Sequence, residues 1–379
     1  MDKLLTERAK DLIDLVEQFG KCSIEPISFE YDKSGKFPAE QYKEAFDMGL
    51  HLLDIPEEYG GSGVSAEEAL MMCEKLSMYD AGFATGVFAV GLAAKAMMVG
   101  GTPEQIKRFT DILAEGKFAA FALTEANAGS DAGATRTKAV LDGDEYVING
   151  SKCFITNGGV ADVYVVIAST DSSQKTKGLS AFMVERSRGG ISVGNEEDKM
   201  GIRLSNTTEV VFDNVRVPKE NLLGKEGDGF KIAMKTLDKA RPTAAAGSVG
   251  IAQRCIDLCK KYMMERKTFG KPIAAYQALQ FKLADMEIKT ETARQYVRYC
   301  GRLIDANESY AEEAAIAKCF ASDIANEVAI EAVQIFGGYG YSREYPLEKL
   351  MRDAKIFQIF EGTNEIQRMV IASSVIHSK

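Results

Sequence analysis

Asp142-Gly143-Asp144-Glu145-Tyr146-Val147-Ile148-Asn149-Gly150 is the stretch that sets the architecture of this 379-residue chain. Asp-Gly and Asn-Gly pairs supply the positive φ angles that tight hairpin turns need. We therefore expect hairpin turns at Asp142-Gly143-Asp144 and again at Asn149-Gly150, with Tyr146-Val147-Ile148 as a short strand between them. Phe118 to Leu123 is a short apolar run upstream. Downstream lie Cys153-Phe154-Ile155, Val163 to Ile167, Ala181 to Val184, Glu209 to Phe212, and Val215-Arg216-Val217 before Pro218. Short strands at this spacing predict an antiparallel β domain, a barrel or a sandwich.

The flanks read differently. Leu4, Leu5, Ala9, Leu12, Ile13, Val16 and Phe19 mark a helical stripe at steps of three and four. A second helix is expected from Pro38, and Ser65-Ala66-Glu67-Glu68 caps another that runs to about Met78. Thr102-Pro103-Glu104 is a further helix start, with Pro at the first position. Gly60-Gly61-Ser62-Gly63 reads as a loop. Beyond Gly227-Asp228-Gly229 helices return. Leu279, Leu283, Met286, Thr290, Ala293 and Val297 share one face, and Ala314, Ala317, Ala321, Ile324, Val328 and Ile335 share another, as in a helix bundle. The expected fold class is α+β and multidomain. An N-terminal α domain spans 1–117, a middle antiparallel β domain 118–224, and a C-terminal four-helix-bundle domain 225–379.

Composition sets outer limits. The chain is 46% hydrophobic and 27% charged, ordinary for a globular protein. A net charge of −9 without a basic block argues against nucleic acid as a partner. Seven cysteines form no C-x-x-C pair, and only His51 and His377 could join them, so no metal site is expected. Buried free thiols in a reducing compartment fit better. Two histidines also argue against Ser-His-Asp or Cys-His chemistry, which leaves a carboxylate as the candidate base. No secretory signal or transit peptide opens the chain, and a cytoplasmic location is the expectation. Ala81 to Gly101 is apolar enough to imitate a membrane span. It carries Lys95 and several glycines, and a buried core helix is expected there instead.

Ile359-Phe360-Glu361-Gly362-Thr363-Asn364-Glu365-Ile366-Gln367-Arg368 places a carboxylate in that role. Two apolar residues lead into Glu361, Gly362 frees the backbone to turn, and Thr363 is a good N-cap for the run that follows. A partly desolvated carboxylate has a raised pKa and can act as a base. On these residues alone a solvated surface Glu is the commoner reading. Phe336-Gly337-Gly338-Tyr339-Gly340-Tyr341 is Gly-rich at a helix end. It reads equally as a helix stop with a turn or as a ligand contact. No G-x-G-x-x-G follows a strand, and no Walker sequence is present.

Four stretches together resemble the acyl-CoA dehydrogenase family. Leu123-Thr124-Glu125-Ala126-Asn127-Ala128-Gly129-Ser130-Asp131 resembles one family signature, and Gln334-Ile335-Phe336-Gly337-Gly338-Tyr339-Gly340-Tyr341 resembles a second. Glu265-Arg266-Lys267-Thr268-Phe269-Gly270-Lys271-Pro272 and the Glu361-Gly362-Thr363 stretch match two more, in the right order over nearly the whole chain. The chain is most similar to short- and medium-chain members, including the butyryl-CoA dehydrogenases of anaerobes.

The resemblance implies non-covalent FAD, a CoA thioester substrate, an electron-transferring flavoprotein as partner, and a homotetramer built as a dimer of dimers. By the same resemblance Phe121, Leu123 and Thr124 line the flavin, and Gly129 and Ser130 continue that contact, with Ser130 also near the CoA. Phe154, Ile155 and Thr156 resemble the segment beside the isoalloxazine. Arg266, Thr268 and Phe269, with Gln277 beside them, would reach the FAD of a neighbouring subunit. Gln334, Ile335, Phe336, Gly337 and Gly338 resemble a stretch at the neighbour's adenosine end. Thr363 and Glu365 would lie near the pyrophosphate, and Asp238, Arg241 and Gly362 would border the substrate. Glu361 would remove the α-proton of the thioester while the β-hydrogen leaves as hydride to flavin N5. The oxyanion donors implied are the Glu361 N–H and a ribityl hydroxyl.

Several positions depart from the family pattern. Ala126 stands where many members have Pro. Phe154 stands where many have Trp, and this chain has no Trp. Glu365 replaces a Gln common in mammalian medium-chain members, so its contact is expected through backbone or ribose. Phe88 falls about where the acyl tail ends, and it reads equally as a pocket wall or as core. One alternative keeps the chemistry and reverses it: an enoyl-CoA reductase acting on butenoyl, acryloyl or aryl-propenoyl thioesters in a bifurcating complex with electron-transferring flavoprotein. A non-catalytic acyl-CoA-binding scaffold is a third reading, and Glu361 with the flavin-lining motifs argues against it.

Overall fold

The computed structural model describes residues 5–377, so Leu4, the first residue of the expected N-terminal stripe, and Met1 to Lys3 lie outside it. Six helices come first: α1 (Glu7–Phe19), α2 (Glu25–Ser34), α3 (Ala39–Asp47), α4 (Ala66–Tyr79), α5 (Ala81–Gly100) and α6 (Pro103–Ala114). The capping signals act as expected. Ser65 with Glu68, and Thr102 with Gln105, form reciprocal capping boxes at the starts of α4 and α6. Helix α5 is long and apolar enough to cross a membrane, but most of it is packed inside the fold.

Helix α2 is absent from the sequence expectation. A π-helical turn, Gly20–Ile24, carries α1 into it, and Gly20 is needed because a Cβ there would meet the Tyr79 ring at 2.2 Å. Its buried positions are polar, Ser28 and Asp32, and this hides its periodicity.

The middle region forms one eight-stranded sheet. Its strands are β1 (Phe118–Ala122), β2 (Lys138–Asp142), β3 (Glu145–Thr156), β4 (Ala161–Ser169), β5 (Leu179–Glu185), β6 (Ile191–Glu196), β7 (Thr207–Pro218) and β8 (Leu222–Leu223). The order is β6-β7-β3-β2-β4-β5-β8, with β1 beside β4. Asp142-Gly143-Asp144 makes its hairpin, pairing Asp142 with Glu145. Asn149-Gly150 does not. Strand β3 runs straight through it with a register shift at Gly150, where a Cβ would lie 2.4 Å from Thr137 Oγ1. The glycine there serves a close approach within a bulge and not a turn. The sheet is also not wholly antiparallel, because β1 pairs with β4 in parallel. Strand β6 escaped the sequence reading because most of its residues face solvent.

The C-terminal part begins with α7 (Gly229–Glu265), followed by the small β9 (Lys267–Thr268) and β10 (Lys271–Pro272) hairpin. Then come α8 (Gln277–Asp305), α9 (Ala311–Phe336), the single-turn α10 (Gly338–Tyr341), α11 (Leu347–Ile356) and α12 (Asn364–His377). Met286, Thr290, Ala293 and Val297 of α8, and the whole expected stripe of α9, are buried. No disulfide joins the seven cysteines; Cys22 is exposed, Cys153 half-buried, and the other five are interior.

A buried ionic knot fastens α11 to the rest. Lys349 Nζ lies 2.9 Å from Asp80 Oδ2 and 2.6 Å from Asp353 Oδ2, all three side chains being nearly inaccessible. Ser28 Oγ donates to Asp80, and Asp353 accepts from the Ile202 N–H at 2.6 Å. Beside it Arg352 pairs with Asp32 and Glu348 and donates to the Met200 carbonyl. Burial disfavours the Lys349 ammonium, but Asp353 and Asp80 outweigh it and hold the group above the usual lysine range. Removing one member of such a cluster leaves buried charge uncompensated. Lys349→Met is expected to cost about 3–5 kcal/mol, read as a lowered midpoint in denaturant unfolding.

Candidate active site

Glu361 sits on a turn that L-residues avoid. It has φ 55° and Gly362 has φ 86°, so two consecutive residues are left-handed. The chain leaves α11 through tight bonds from Ile359 N and Phe360 N to Ile356 O, and Phe360 packs edge-on against the buried Phe357. The turn is then held from two sides. Gln367 Nε2 donates to the Glu361 and Gly362 carbonyls at 3.1 and 2.9 Å. Lys318 Nζ donates to Gly362 O and to Asn364 Oδ1, both at 2.8 Å. Asn364 in turn donates to Ser322 Oγ and Asp323 Oδ1 on α9. A Cβ on Gly362 would stand 2.7 Å from Gln367 Nε2, so side-chain bulk is excluded there as well as strained. Thr363 Oγ1 accepts from Ile366 N at 3.4 Å, the expected cap of α12.

The Glu361 side chain is half-buried, yet its Oε2 is fully enclosed and has no hydrogen-bond partner. Burial raises its proton affinity, against the opposing pull of Lys318, Lys95 and Arg241. That environment makes the carboxylate a better proton acceptor than a solvated one. Arg241 is buried on α7 and pairs with Asp238 at 2.5 Å. Its Nε points at no partner. Pro242, inside α7, has no N–H, so the Asp238 carbonyl lacks its helix bond. Asp238 is raised by burial, with Arg241 opposing. Beside the turn, Asp323, Lys355, Gln358, Ile359, Thr363, Asn364, Glu365 and Arg368 line a cavity of about 390 Å³.

A second group gathers where β1 ends beside β3. Phe121 and Leu123 are buried, and Thr124 and Thr156 are half-buried. Phe154 is 65% exposed and left-handed, with φ 56°. Cys153 N donates to Thr124 O at 2.9 Å, which aligns the two segments. Lys152 Nζ reinforces them, donating to Leu123 O and pairing with the buried Glu125 at 2.7 Å. Glu125 also accepts from the Arg136 and Thr137 N–H groups. Gly129 and Ser130 face solvent in the loop beyond, and Ile155 is interior.

The remaining expected residues lie at one end of the helical bundle. Arg266 stands over the Tyr339 ring, and Tyr262 stacks on Phe336 at 3.9 Å. Phe269 is 97% exposed and left-handed at the tip of the β9–β10 hairpin. Gln277, Gln334, Gly337 and Gly338 are exposed, and Thr268 is half-buried. The side chains of Ile335 and Phe336 point into the bundle core, which leaves only their backbone for a ligand. Phe88 is buried in the N-terminal core.

Lys318, Asn364 and Gln367 were not singled out in sequence. Lys318 carried a signal, a lone cation interrupting the stripe of Ala314, Ala317 and Ala321. Gln367 carried none. The two φ > 0 residues make Gly362→Ala a sharp test of the turn. It is expected to lower thermal stability and to cost at least about 1 kcal/mol from left-handed strain alone.

Comparison with known proteins identifies the family. Residues 6–117, 120–215 and 227–376 match the family models for the N-terminal, middle and C-terminal domains of acyl-CoA dehydrogenases. An acryloyl-CoA reductase (NADH) of Anaerotignum propionicum is 45% identical over 99% of this chain and 96% of its own. Butyryl-CoA dehydrogenase from Megasphaera elsdenii superposes with TM-score 0.97 at 45% identity, covering all of both chains. A chain in a structure described for the electron transferring flavoprotein of Acidaminococcus fermentans and flavin-based electron bifurcation does so with TM-score 0.97 at 46% identity, again over all of both chains. With all three domain types matched in order, the chain belongs to the acyl-CoA dehydrogenase family.

Proposed function

We propose that the protein is an FAD-dependent acyl-CoA dehydrogenase that interconverts a short- or medium-chain acyl-CoA and its trans-2-enoyl-CoA, with Glu361 as the base. The observation that carries this is the enclosed, unpartnered Glu361 Oε2 on a turn held by Lys318 and Gln367. The family works with FAD, which when bound supplies the acceptor for the substrate β-hydrogen as hydride. The residues present suit that cofactor. Phe154 offers an open aromatic face, Thr124 and Thr156 flank it, and Lys355 and Arg368 bring cations to the cavity beside Thr363.

In this reading Glu361 breaks the Cα–H bond and holds the proton on its carboxyl oxygen. Its N–H supports the negative charge that develops on the thioester oxygen. Phe357 and Phe360 shield the turn from water, which keeps the carboxylate poorly solvated and basic. Asp238 and Arg241 border the CoA thioester. Arg266, Thr268, Phe269, Gln277 and the Gln334–Gly338 stretch serve the cofactor of a second subunit. The exposure of Phe269, Phe281 and Tyr341 on the bundle supports assembly into a tetramer. Glu361→Gln is expected to keep FAD while losing turnover by about 10²–10⁴ or more. Bleaching of the bound flavin by butyryl-CoA reads this directly, and retained bleaching would exclude Glu361 as the base. Because burial raises Glu361, wild-type kcat/KM should fall as pH drops through a value above 4.5.

The relatives support a second reading of the same site. One is an acryloyl-CoA reductase, and one belongs to work on an electron transferring flavoprotein. The physiological direction is then enoyl-CoA reduction, with electrons delivered by electron-transferring flavoprotein. NADH-driven reduction of acryloyl-CoA or butenoyl-CoA in the presence of that partner distinguishes the two.

A further inference from the structure

Among the described residues four lysines are buried: Lys95, Lys152, Lys318 and Lys349. Three of them lie on a carboxylate: Lys95 on Asp54, Lys152 on Glu125, and Lys349 on Asp80 and Asp353. Lys318 is 0% exposed, and its two hydrogen bonds go to neutral oxygens, the Gly362 carbonyl and the Asn364 side-chain amide. An interior ammonium without a bound carboxylate is costly. The same turn carries a buried carboxyl oxygen, Glu361 Oε2, that has no hydrogen-bond partner.

Resting on the functional reading above, we propose that Lys318 is a positioning residue for the reaction, clamping the Glu361 turn through the Gly362 carbonyl and the Asn364 side-chain amide and fixing a buried ammonium one residue along the chain from the base. Three cations act on Glu361: Lys318 from α9, Lys95 from α5 and Arg241 from α7. Lys95 and Arg241 are already matched by Asp54 and Asp238. Lys318 is the cation left to answer the carboxylate. The groups acting on it are Glu361, Cys319 and Asp323, with Arg241 opposing. Burial pushes Lys318 down to about 8, and Glu361 is the strongest of the charges that keep it protonated. The two bonds hold the chain immediately after the reacting residue, one at Gly362 and one at Asn364. When Glu361 takes the α-proton, a C–H bond breaks and an O–H bond forms. The negative charge moves from the carboxylate to the thioester, and the Lys318 ammonium stays fixed by its bonds to Gly362 O and Asn364 Oδ1.

The test is exchange of the α-hydrogens of butyryl-CoA into D₂O by the FAD-loaded protein, followed anaerobically without an electron acceptor as a function of pH. Lys318→Gln keeps a donor for Gly362 O and removes the charge. It should move the acidic limb of exchange upward by about one pH unit, while the charge-retaining Lys318→Arg leaves the limb in place. Asn364→Asp, which sets a carboxylate directly on Lys318, should move the limb in the same direction as Lys318→Gln and serves if that variant does not fold. A folded, flavin-containing Lys318→Gln or Asn364→Asp whose limb coincides with wild type overturns the proposal, as does a Lys318→Arg limb shifted as far as the neutral variant. Absence of exchange in the wild-type protein would count against the functional reading itself. A wild-type limb that these variants fail to move counts against Lys318 alone.

Discussion

The Lys349 ammonium, shared between Asp80 and Asp353, is the interaction on which the placement of the active turn depends. Asp80 belongs to the start of α5, where its other oxygen caps the helix through Phe83 N. Asp353 also receives the Ile202 N–H from the loop before β7. Three parts of the chain therefore meet on one charge cluster. Isolated carboxylates could not be buried here, and a lysine alone could not either. Helix α11, which carries Lys349 and Asp353, ends at Ile356, only five residues before Glu361. The clamp that joins the helical regions to the sheet is also the anchor for the base.

Much of this was legible because regular elements announce themselves. The stripes of α8 and α9, the capping boxes of α4 and α6, and the Asp-Gly hairpin follow from spacing and turn chemistry. What stayed hidden did so where polar residues are interior. Helix α2 buries Ser28 and Asp32 because their partners, Asp80 and Arg352, come from distant segments. No local window contains those partners. Asn149-Gly150 misled for a related reason: its glycine answers to Thr137 across the sheet, and a turn signal and a bulge signal are spelled alike.

The site divides along the same line. Glu361, Gly362 and Thr363 form a local motif, and the turn they make is local. The residues that hold it come from elsewhere in sequence or from the far side of a helical turn, Lys318 and Gln367. The left-handed Glu361 stores strain that Gly362 beside it does not, and such strain persists only where surrounding bonds over-determine the backbone. Four donor contacts onto two carbonyls and one amide supply that constraint. The base is thus held by backbone, leaving its carboxyl oxygen free to receive a proton.

The distribution of thiols makes the molecule easy to mark. Burial pushes Cys73, Cys259 and Cys300 up to about 12, and Cys255 and Cys319 also above the usual thiol range, so these five are poor nucleophiles at neutral pH. Cys153 is half-buried and also raised. Cys22 stands in the open on the π-helical turn between α1 and α2. A maleimide or nitroxide reagent used under native conditions would therefore settle first at Cys22. A spectroscopic reporter could be carried there without removing any of the native cysteines.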